Sequence, residues 1–317
     1  MFITITGATG SFGSALAKHL LATTEHKLRL LGRSESKLLD LQHELSPHSS
    51  RTTYILADIR DEDKLHRAFR GADYIFHAAA LKQVPLSYIH TSEFVKTNII
   101  GTRNVCLAAM DCGVDRVLFI SSDKACAPFN PYGVSKAMGE AIMTEANLHV
   151  PHTTKFASVR GGNVWGSRGS VVERWTNGNI IEMSDPNVTR FHLSMKYWLE
   201  FCWKTINHIH GGEVFIPKCK AWNLGTLASA FEEHFKKVIL TGGARDGDKQ
   251  HESLISLPEL SRSVDIGWAY VIEPNKDIRD VWEYQCHEGK PVPYEIVSNR
   301  VYRMGIDELR TAIVNGG

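Results

Sequence analysis

With 317 residues, the chain is long enough for one large α/β domain or for a domain with a smaller lobe. Its apolar fraction of 43% is ordinary for a globular protein, and its net charge of +1 gives no bulk electrostatic reason to expect nucleic acid or an acidic membrane surface as a partner. We expect a soluble, cytoplasmic protein, because no stretch approaches the ~18–20 apolar residues of a membrane span and the first residues do not resemble a signal peptide.

The six cysteines, at positions 106, 112, 126, 202, 219 and 286, form no Cys-x-x-Cys pair and no metal-like spacing with histidine. We therefore predict reduced thiols and no metal site.

Strand and helix patterns alternate through the first half of the chain. Apolar runs predict strands over 2–6, 27–31, 53–56, 74–78, 117–121 and 156–160. Helical spacing predicts helices over 14–21, 36–45, 64–69, 91–112 and 132–149. Short βαβ connections favour a parallel sheet covered on both faces, hence a doubly wound α/β fold.

After about residue 161 the alternation becomes irregular, with helices predicted over 196–207, 228–240 and 306–314 and a strand over 213–216. We predict a dinucleotide-binding domain over residues 1–165, to which later segments return. Residues 166–317 should mainly form a smaller substrate-binding lobe that closes a cleft at the carboxyl ends of the strands.

A glycine-rich turn, Gly7-x-x-Gly10-x-x-Gly13, separates the first strand from the first helix. In this position glycines allow a tight turn, close approach of a pyrophosphate and helix packing, which is typical of a Rossmann-type dinucleotide site. A plain βα turn is the alternative. The predicted contacts here also include Thr9, Ser11 and Phe12.

The end of the second strand favours NADP over NAD. An acidic residue there would hold a ribose 2′-hydroxyl, but the sequence has Arg33 and Ser34 with Lys37 beyond, which would suit a 2′-phosphate. These side chains could instead be solvated surface residues. Further predicted cofactor contacts are Asp58, Ile59, Ala78, Ala79, Ala80, Lys82 and Asn98.

The chemistry-bearing cluster is Ser122-Asp123-Lys124 with Tyr132 and Lys136. Tyr132 and Lys136 are four apart on a predicted helix, so the ammonium should favour the phenolate and let Tyr132 remove an alcohol proton. Ser122 follows a strand and could bond the same oxygen. A simple alcohol dehydrogenase would not need the Asp123-Lys124 pair, although a salt-bridged pair at a loop start is the alternative.

These motifs resemble the extended short-chain dehydrogenase/reductase superfamily. More narrowly, the sequence is similar to the inverting UDP-N-acetylglucosamine 4,6-dehydratases in AAALKQVP (78–85), KTNIIGTRNV (96–105), SSDKACAPFNPYGVSK (121–136), GNVWGSRGSVV (162–172), TRFHLS (189–194), GGEVFIPK (211–218) and GARDGDKQHESLIS (243–256). The similarity covers roughly residues 2–315. It departs at Ser122, where Thr is more usual, at Gly161, where Tyr is usual, and over residues 220–230.

The resemblance implies NADP-dependent formation of a 4-keto-6-deoxy sugar with inversion at C5, an early step in making surface-glycan or nonulosonic acid precursors. Tyr132 and Lys136 would serve transient oxidation at C4, Lys124 would remove the C5 proton, and Asp123 would protonate the departing C6 hydroxyl. It also implies a homo-oligomer, a hexamer or a dimer. The candidate substrate residues are Lys82, Asn163, Arg168, Ser170, Arg190, Arg245, Lys249 and Glu252.

Two other functions stay open. One is a nucleotide-sugar 4-epimerase, or a C5-retaining 4,6-dehydratase acting on another nucleotide hexose. The absence of a membrane-spanning extension and the presence of Tyr132, where the retaining relatives often carry Met, favour the inverting type. The other is a non-enzymatic NADP-binding sensor or scaffold, whose expected mark would be loss of Lys124, Tyr132 or Lys136; all three are present.

Overall fold

The computed structural model of the chain describes residues 1–149, 153–242, 247–282 and 284–317. Its centre is a ten-stranded sheet. The first six strands are Phe2–Thr6, Lys27–Gly32, Thr52–Leu56, Tyr74–His77, Arg116–Ile120 and Lys155–Val159. They pair in parallel, which confirms the predicted α/β class.

Helices cover both faces of this parallel part. They are α1 (Ser11–Thr23), α2 (Glu35–Glu44), α3 (Glu62–Phe69), α4 (Val84–Ile89), α5 (Thr91–Phe94), α6 (Gly101–Asp111) and α7 (Pro131–His149). A π-helical segment, Val95–Ile100, joins α5 to α6, so the helix predicted over 91–112 is helical almost throughout. Short 3-10 helices span Ser46–Arg51 and Asp123–Ala125.

The alternation of side chains along each strand separates two apolar cores. On β4, Ile75 packs with the α3 and α6 side of the sheet, whereas its neighbour Phe76 packs with α1. Val117 and Leu118 divide in the same way on β5. Because both faces are buried, these strands read as continuous apolar runs, which is why the sequence reveals them.

The second half contributes strands to the same sheet and builds smaller ones. Its strands are β7 (Asn163–Val164), β8 (Ile180–Met183), β9 (Thr189–Leu193), β10 (Val214–Pro217), β11 (Lys220–Asn223), β12 (Val238–Thr241), β13 (Ser253–Ile255), β14 (Ser263–Asp265), β15 (Ala269–Ile272), β16 (Lys290–Pro291) and β17 (Ile296–Val297). Its helices are α8 (Val171–Asn177), α9 (Met195–Ile206), α10 (Leu224–Phe235), α11 (Lys276–Trp282) and α12 (Ile306–Asn315), with a 3-10 helix at Leu257–Arg262.

The helix predicted over 228–240 is wrong in its second part. Helix α10 ends at Phe235, and Lys236 takes a left-handed conformation with φ of 55°. The next residues form β12, which pairs in parallel with β8. The β-branched Val238 and Ile239 suit a strand, so pairing with β8 prevails over the apolar spacing that suggested a longer helix.

The strands of the central sheet lie in the order β16-β14-β15-β10-β6-β5-β4-β1-β2-β3. Strand order therefore reverses at β1, which lies between β2 and β4. Ligands of open α/β sheets bind in the crevice beside such a reversal, at the carboxyl ends of the strands. In the described part of the chain, no helix combines the length and apolar character that crossing a membrane requires.

Candidate active site

Two adjoining cavities open at the carboxyl ends of the central strands. The β2-side cavity, of about 240 Å³, reaches the ends of β2 and β3, and the β5-side cavity, of about 420 Å³, reaches Ser122, Asp123 and Lys124. They share the lining residues Gly7, Gly10, Ala78, Ala80 and Arg168. Together they form a continuous cleft along the glycine turn.

The glycine turn fits a group that must lie against backbone. Gly7 has a φ of +69°, and a Cβ atom there would stand 2.7 Å from the Ala79 Cα. A Cβ at Gly13 would stand 2.4 Å from the Gly7 carbonyl oxygen. Since α1 begins at Ser11, its free N–H groups lie beside the cleft, as an anionic diphosphate requires.

A buried histidine fixes the loop opposite this turn. Thr102 donates its hydroxyl hydrogen to the Asn98 carbonyl, so it accepts from Nε2 of His77 at 3.0 Å. Nδ1 of His77 then accepts from Thr6 at 2.8 Å, and the Thr6 hydroxyl in turn accepts the Ala79 N–H. Burial lowers the pKa of His77 to about 3, so it serves here as a neutral clamp.

Asn98, a predicted cofactor contact, is buried and does not line either cavity. Its side-chain amide donates to the Leu81 carbonyl and accepts the Leu81 N–H, both at 2.8 Å. It also donates to Ser135 at 2.9 Å. The residue therefore holds the loop after β4 against α7.

At the end of β2, Arg33 and Lys37 line the β2-side cavity and are exposed, whereas Ser34 lies at the start of α2 and does not line it. Asp58 and Ile59 form the opposite wall. Of the other predicted cofactor contacts, Thr9 and Ala79 line this cavity, and Ser11, Phe12 and Gly13 line the β5-side cavity.

Arg60 was not predicted, and it determines how Asp58 is held. Its guanidinium donates to the Asp58 carboxylate at 2.7 and 3.0 Å. Burial opposes the charged form of Asp58, but these bonds prevail and lower its pKa. The spacing Asp-x-Arg after a strand was the available signal.

The catalytic candidates meet in the β5-side cavity. Asp123 is 1% exposed, and its Oδ1 accepts from the Ser122 hydroxyl at 2.9 Å and from Nζ of Lys124 at 3.2 Å. Among the described residues, its buried Oδ2 has no hydrogen-bond partner. Lys124 also lies 3.2 Å from Oε1 of Glu252, so one ammonium bridges two buried carboxylates.

The pKa values of the three charged groups are shifted in different directions. Burial raises the pKa of Asp123. Burial also opposes protonation of Lys124, but Asp123 and Glu252 outweigh it and raise the pKa of that amine. Glu252 is buried as well, yet nearby Lys124 and Arg190 hold its pKa below the usual value. These directions favour the charged form at Glu252 and, relative to it, the protonated form at Asp123.

Tyr132 and Lys136 lie in the same cavity on α7. Nζ of Lys136 donates to the Ile120 carbonyl at 2.6 Å and sits 3.8 Å from the centre of the Phe119 ring. Burial lowers the pKa of Lys136 to about 7. The expected lowering of the phenol pKa does not appear: burial raises the pKa of Tyr132, and Ser122 and Lys124 oppose this only in part.

Four of the predicted substrate residues, Lys82, Asn163, Arg168 and Ser170, line the β5-side cavity. Nζ of Lys82 donates to the Arg168 carbonyl at 2.7 Å, and the Arg168 N–H donates to the Ser11 hydroxyl at 3.0 Å. Burial lowers the pKa of Lys82. The segment around Arg168 is therefore tied to the glycine turn.

Of the other substrate candidates, the described ones, Arg190, Lys249 and Glu252, do not line the cavity. Arg190 is 4.0 Å from Glu252 and donates to the Thr189 carbonyl, and Lys249 donates to the Cys126 carbonyl at 2.8 Å. The Arg190, Lys249 and Lys124 side chains lie 4.0, 3.9 and 3.2 Å from the Glu252 carboxylate, so three cations surround it. Arg245 lies outside the described residues.

A buried ion network that the sequence did not reveal supports the catalytic loop. Arg160 pairs with Glu140 at 2.6 Å and with Glu259 at 2.9 Å. Glu140 also accepts the Ser121 hydroxyl at 2.6 Å. One guanidinium therefore links the end of β6, helix α7 and the residue just before Ser122.

A second cluster lies away from the cleft, before β10. His210, Glu213 and His287 bring possible metal-ligand atoms within 4.8 Å of one another. The two imidazole rings stack in parallel, 4.0 Å apart at 4°, so their lone pairs do not converge. Glu213 accepts the Gly211 N–H at 2.6 Å, which indicates a role in holding this glycine turn.

Comparison with known proteins places the chain in a family. Residues 3–274 match the model of the polysaccharide biosynthesis protein family. A UDP-glucose 4-epimerase of Rickettsia typhi is 35% identical over 98% of this chain and 94% of its own length. An inverting UDP-N-acetylglucosamine 4,6-dehydratase of Campylobacter jejuni is 35% identical over 86% of this chain and 83% of its own.

Among solved structures, Pen from Bacillus thuringiensis superposes with a TM-score of 0.91 at 29% identity, over 100% of this chain and 98% of its own. The family match over residues 3–274 includes the glycine turn, the Asp123-Lys124 loop and the Tyr132/Lys136 helix. The chain therefore belongs to the polysaccharide biosynthesis protein family, and its predicted resemblance to extended short-chain dehydrogenases/reductases of the inverting 4,6-dehydratase type is confirmed.

Proposed function

We propose that the protein is a cytoplasmic, NADP-dependent UDP-N-acetylglucosamine 4,6-dehydratase that inverts C5. The observation that carries this proposal is the buried Asp123-Lys124 pair, which lies in the same cavity as Tyr132. Oxidation at C4 alone requires a base such as Tyr132. A second acid and a second base are useful only when a proton leaves C5 and a hydroxyl leaves C6.

The redox step uses the β5-side cavity and the glycine turn. A bound NADP would accept a hydride from C4 and return it at C6. Tyr132 takes the proton of the 4-hydroxyl, and the Ser122 hydroxyl, which donates to Asp123 in the free protein, rotates to donate to the same oxygen. Lys136, whose pKa is lowered to about 7, keeps a positive charge behind Tyr132 near and below neutral pH.

The elimination uses the pair 3.2 Å apart. Transfer of one proton from Lys124 to Asp123 gives a neutral amine and a neutral acid. The two nearby carboxylates favour the ammonium in the free protein, so the transfer depends on bound substrate excluding water from the cavity, which favours the uncharged pair. Lys124 then takes the C5 proton, made acidic by the 4-ketone, and Asp123 gives its proton to the C6 hydroxyl, which leaves as water. A proton returning to C5 from the opposite face completes the inversion.

The preference for NADP rests on the end of β2. Arg33 and Lys37 line the mouth of the β2-side cavity, and the position after the strand carries no carboxylate that could hold a ribose 2′-hydroxyl. A guanidinium and an ammonium are the donors that a 2′-phosphate prefers.

The proposed enzyme is a homo-oligomer, a dimer or a hexamer. A groove between α5, the π-helical segment and the start of α7 is lined by Phe94, Pro128 and Pro131 and by the exposed Val95, Phe129 and Val134. An exposed apolar groove of this kind favours a protein interface. Three further apolar side chains are exposed on α4, the π-helical segment and α7, namely Ile89, Ile100 and Met138. Light scattering should give a mass of at least two chains, and V134K should reduce it; a wild-type monomer would contradict this part.

The test is product analysis by NMR after incubation with UDP-N-acetylglucosamine in deuterated water. We expect a 6-methyl, 4-keto product that carries deuterium at C5 with inverted configuration. An unchanged C6 hydroxymethyl group would reject dehydration.

The second candidate is a nucleotide-sugar 4-epimerase, favoured by the relatives of that name. In the same assay with UDP-glucose it would invert C4, retain the C6 oxygen and incorporate no deuterium at C5. Deuterium at C5 with the original configuration would instead indicate the C5-retaining dehydratase.

A further inference from the structure

Gly161, shortly after β6, has no room for a side chain because Trp198 and, at 3.0 Å, Cδ1 of Leu193 fill the space. A Cβ atom on Gly161 would stand 2.7 Å from Cη2 and 3.0 Å from Cζ2 of the Trp198 indole. The Gly161 carbonyl accepts the Asp123 N–H at 2.7 Å, so this glycine also positions the catalytic loop. The six-membered ring of the indole therefore lies beside the glycine that holds this loop, and it lines the same cavity as the reacting cluster.

Trp198 belongs to a small aromatic stack that begins at the glycine turn. It lies on the first turn of α9, 6.2 Å from the Phe12 ring, and stacks on Phe201 at 5.8 Å with an angle of 10°. Only 2% of its surface is exposed, yet it lines the β5-side cavity together with Phe12 and Met195. Its position is fixed on one side by Phe201 and on the other by Gly161.

The two ends of the cleft define where a dinucleotide must run. Its diphosphate belongs on the glycine turn, and its reacting ring must reach Tyr132. The cavity between these points is walled by Phe12 and Trp198, and a flat ring gains from contact with aromatic side chains.

We propose that Trp198 is the wall against which the nicotinamide ring of the cofactor packs, and that Gly161 is glycine in order to admit this indole. The inference rests on the proposed cofactor, not on the proposed sugar chemistry. Trp198 therefore acts as a positioning residue: it sets the depth at which the ring lies relative to Tyr132.

Binding of two probes tests the contact without turnover. NADPH contains the nicotinamide ring, whereas 2′-phospho-ADP-ribose contains the rest of the molecule. W198A should weaken NADPH binding about three- to tenfold, the size of an aromatic ring contact, and leave 2′-phospho-ADP-ribose unchanged. The control W203A changes a tryptophan of the same helix that packs on Phe76, away from the cavity, and should affect neither probe.

A second pair of variants tests the steric argument in proteins that keep an aromatic ring. G161A should push the indole into the cavity and weaken NADPH binding, while W198F, which removes the atoms that meet Gly161, should relieve this effect in the double variant G161A/W198F. Calorimetry on each variant supplies the affinities.

Unchanged NADPH affinity in W198A, or equal losses for both probes, would overturn the proposal. No relief in the double variant would overturn the part about Gly161. If the wild type binds NADH instead, NADH and ADP-ribose replace the two probes. The two proposals can fail separately. If the wild type makes no 6-deoxy product but W198A weakens only NADPH binding, the proposed dehydration is refuted and the role of Trp198 stands.

Discussion

Replacing Lys124 by methionine separates the two halves of the proposed reaction. Methionine keeps an unbranched side chain but removes the amine that would take the C5 proton. Loss of a general base costs about 10²–10⁴-fold in turnover. Oxidation at C4 uses Tyr132 and Lys136 and should persist, so K124M should form reduced cofactor in a single turnover without exchanging the C5 proton.

The same change has a cost in stability that the structure allows us to assign. Lys124 lies 3.2 Å from Asp123 and 3.2 Å from Glu252, and both carboxylates are buried. Removing one partner of a buried ion pair costs about 3–5 kcal/mol. Glu252 keeps Arg190 and Lys249 nearby at 4.0 and 3.9 Å, which places the loss at the lower end of that range.

The assay therefore needs two matched variants. K124M/D123N neutralises Asp123, the buried carboxylate that loses its ammonium partner, and should regain part of the lost free energy of unfolding in denaturant titration, with no gain in C5 exchange. K218M removes a half-exposed lysine paired with Asp265 at 2.7 Å outside the cleft, and should cost about 0–1 kcal/mol with normal turnover. Normal turnover or normal C5 exchange in folded K124M would refute the role of Lys124.

Three further changes test other parts of the site. Y132F should lower turnover about 10²–10⁴-fold while cofactor affinity, measured by calorimetry, is retained; retained turnover would exclude Tyr132 as the base. R33A should weaken NADP binding about tenfold and leave NAD binding unchanged, whereas equal effects on both would remove the 2′-phosphate contact. The pKa of Lys136 is 10.5 in the unfolded chain but about 7 in the folded one, so between these pH values the unfolded chain binds the extra proton. The free energy of unfolding should therefore rise with pH over this range. K136M should flatten that rise in cofactor-free protein. A pH dependence identical to that of the wild type would contradict the buried, weakly basic amine.

The parallel part of the fold was readable because its signals are local. Each strand from β1 to β6 is a short apolar run followed by helical spacing, and the glycine turn at Gly7 marks where the sheet meets a ligand. The second half was less readable because its strands find partners far away in sequence. Strand β12, for example, pairs with β8 about 58 residues earlier, and its own sequence does not indicate which strand it pairs with.

The candidate site likewise contains residues that the sequence predicts and residues that only the fold reveals. Residues that are close in sequence can be recognised as a site from the sequence alone. Asp123 with Lys124 is one such pair, and Tyr132 with Lys136 at helical spacing is another. Glu252 as the second carboxylate on Lys124, and Trp198 as the filler of the space beside Gly161, depend on distant segments meeting. Asn98 illustrates the converse, since its motif predicts a ligand contact but its amide is fully used by Leu81 and Ser135.

The Asp123-Lys124 arrangement argues for the elimination. Oδ2 of Asp123 is buried and, within the described part of the chain, accepts no hydrogen bond from a protein group. Asp123 also lines the β5-side cavity, so a bound substrate can reach this carboxyl. A 4-epimerase breaks no bond at C6 and needs no acid there. In a dehydratase, Oδ2 is the oxygen that can carry the proton, and the C6 hydroxyl accepts that proton as it leaves as water.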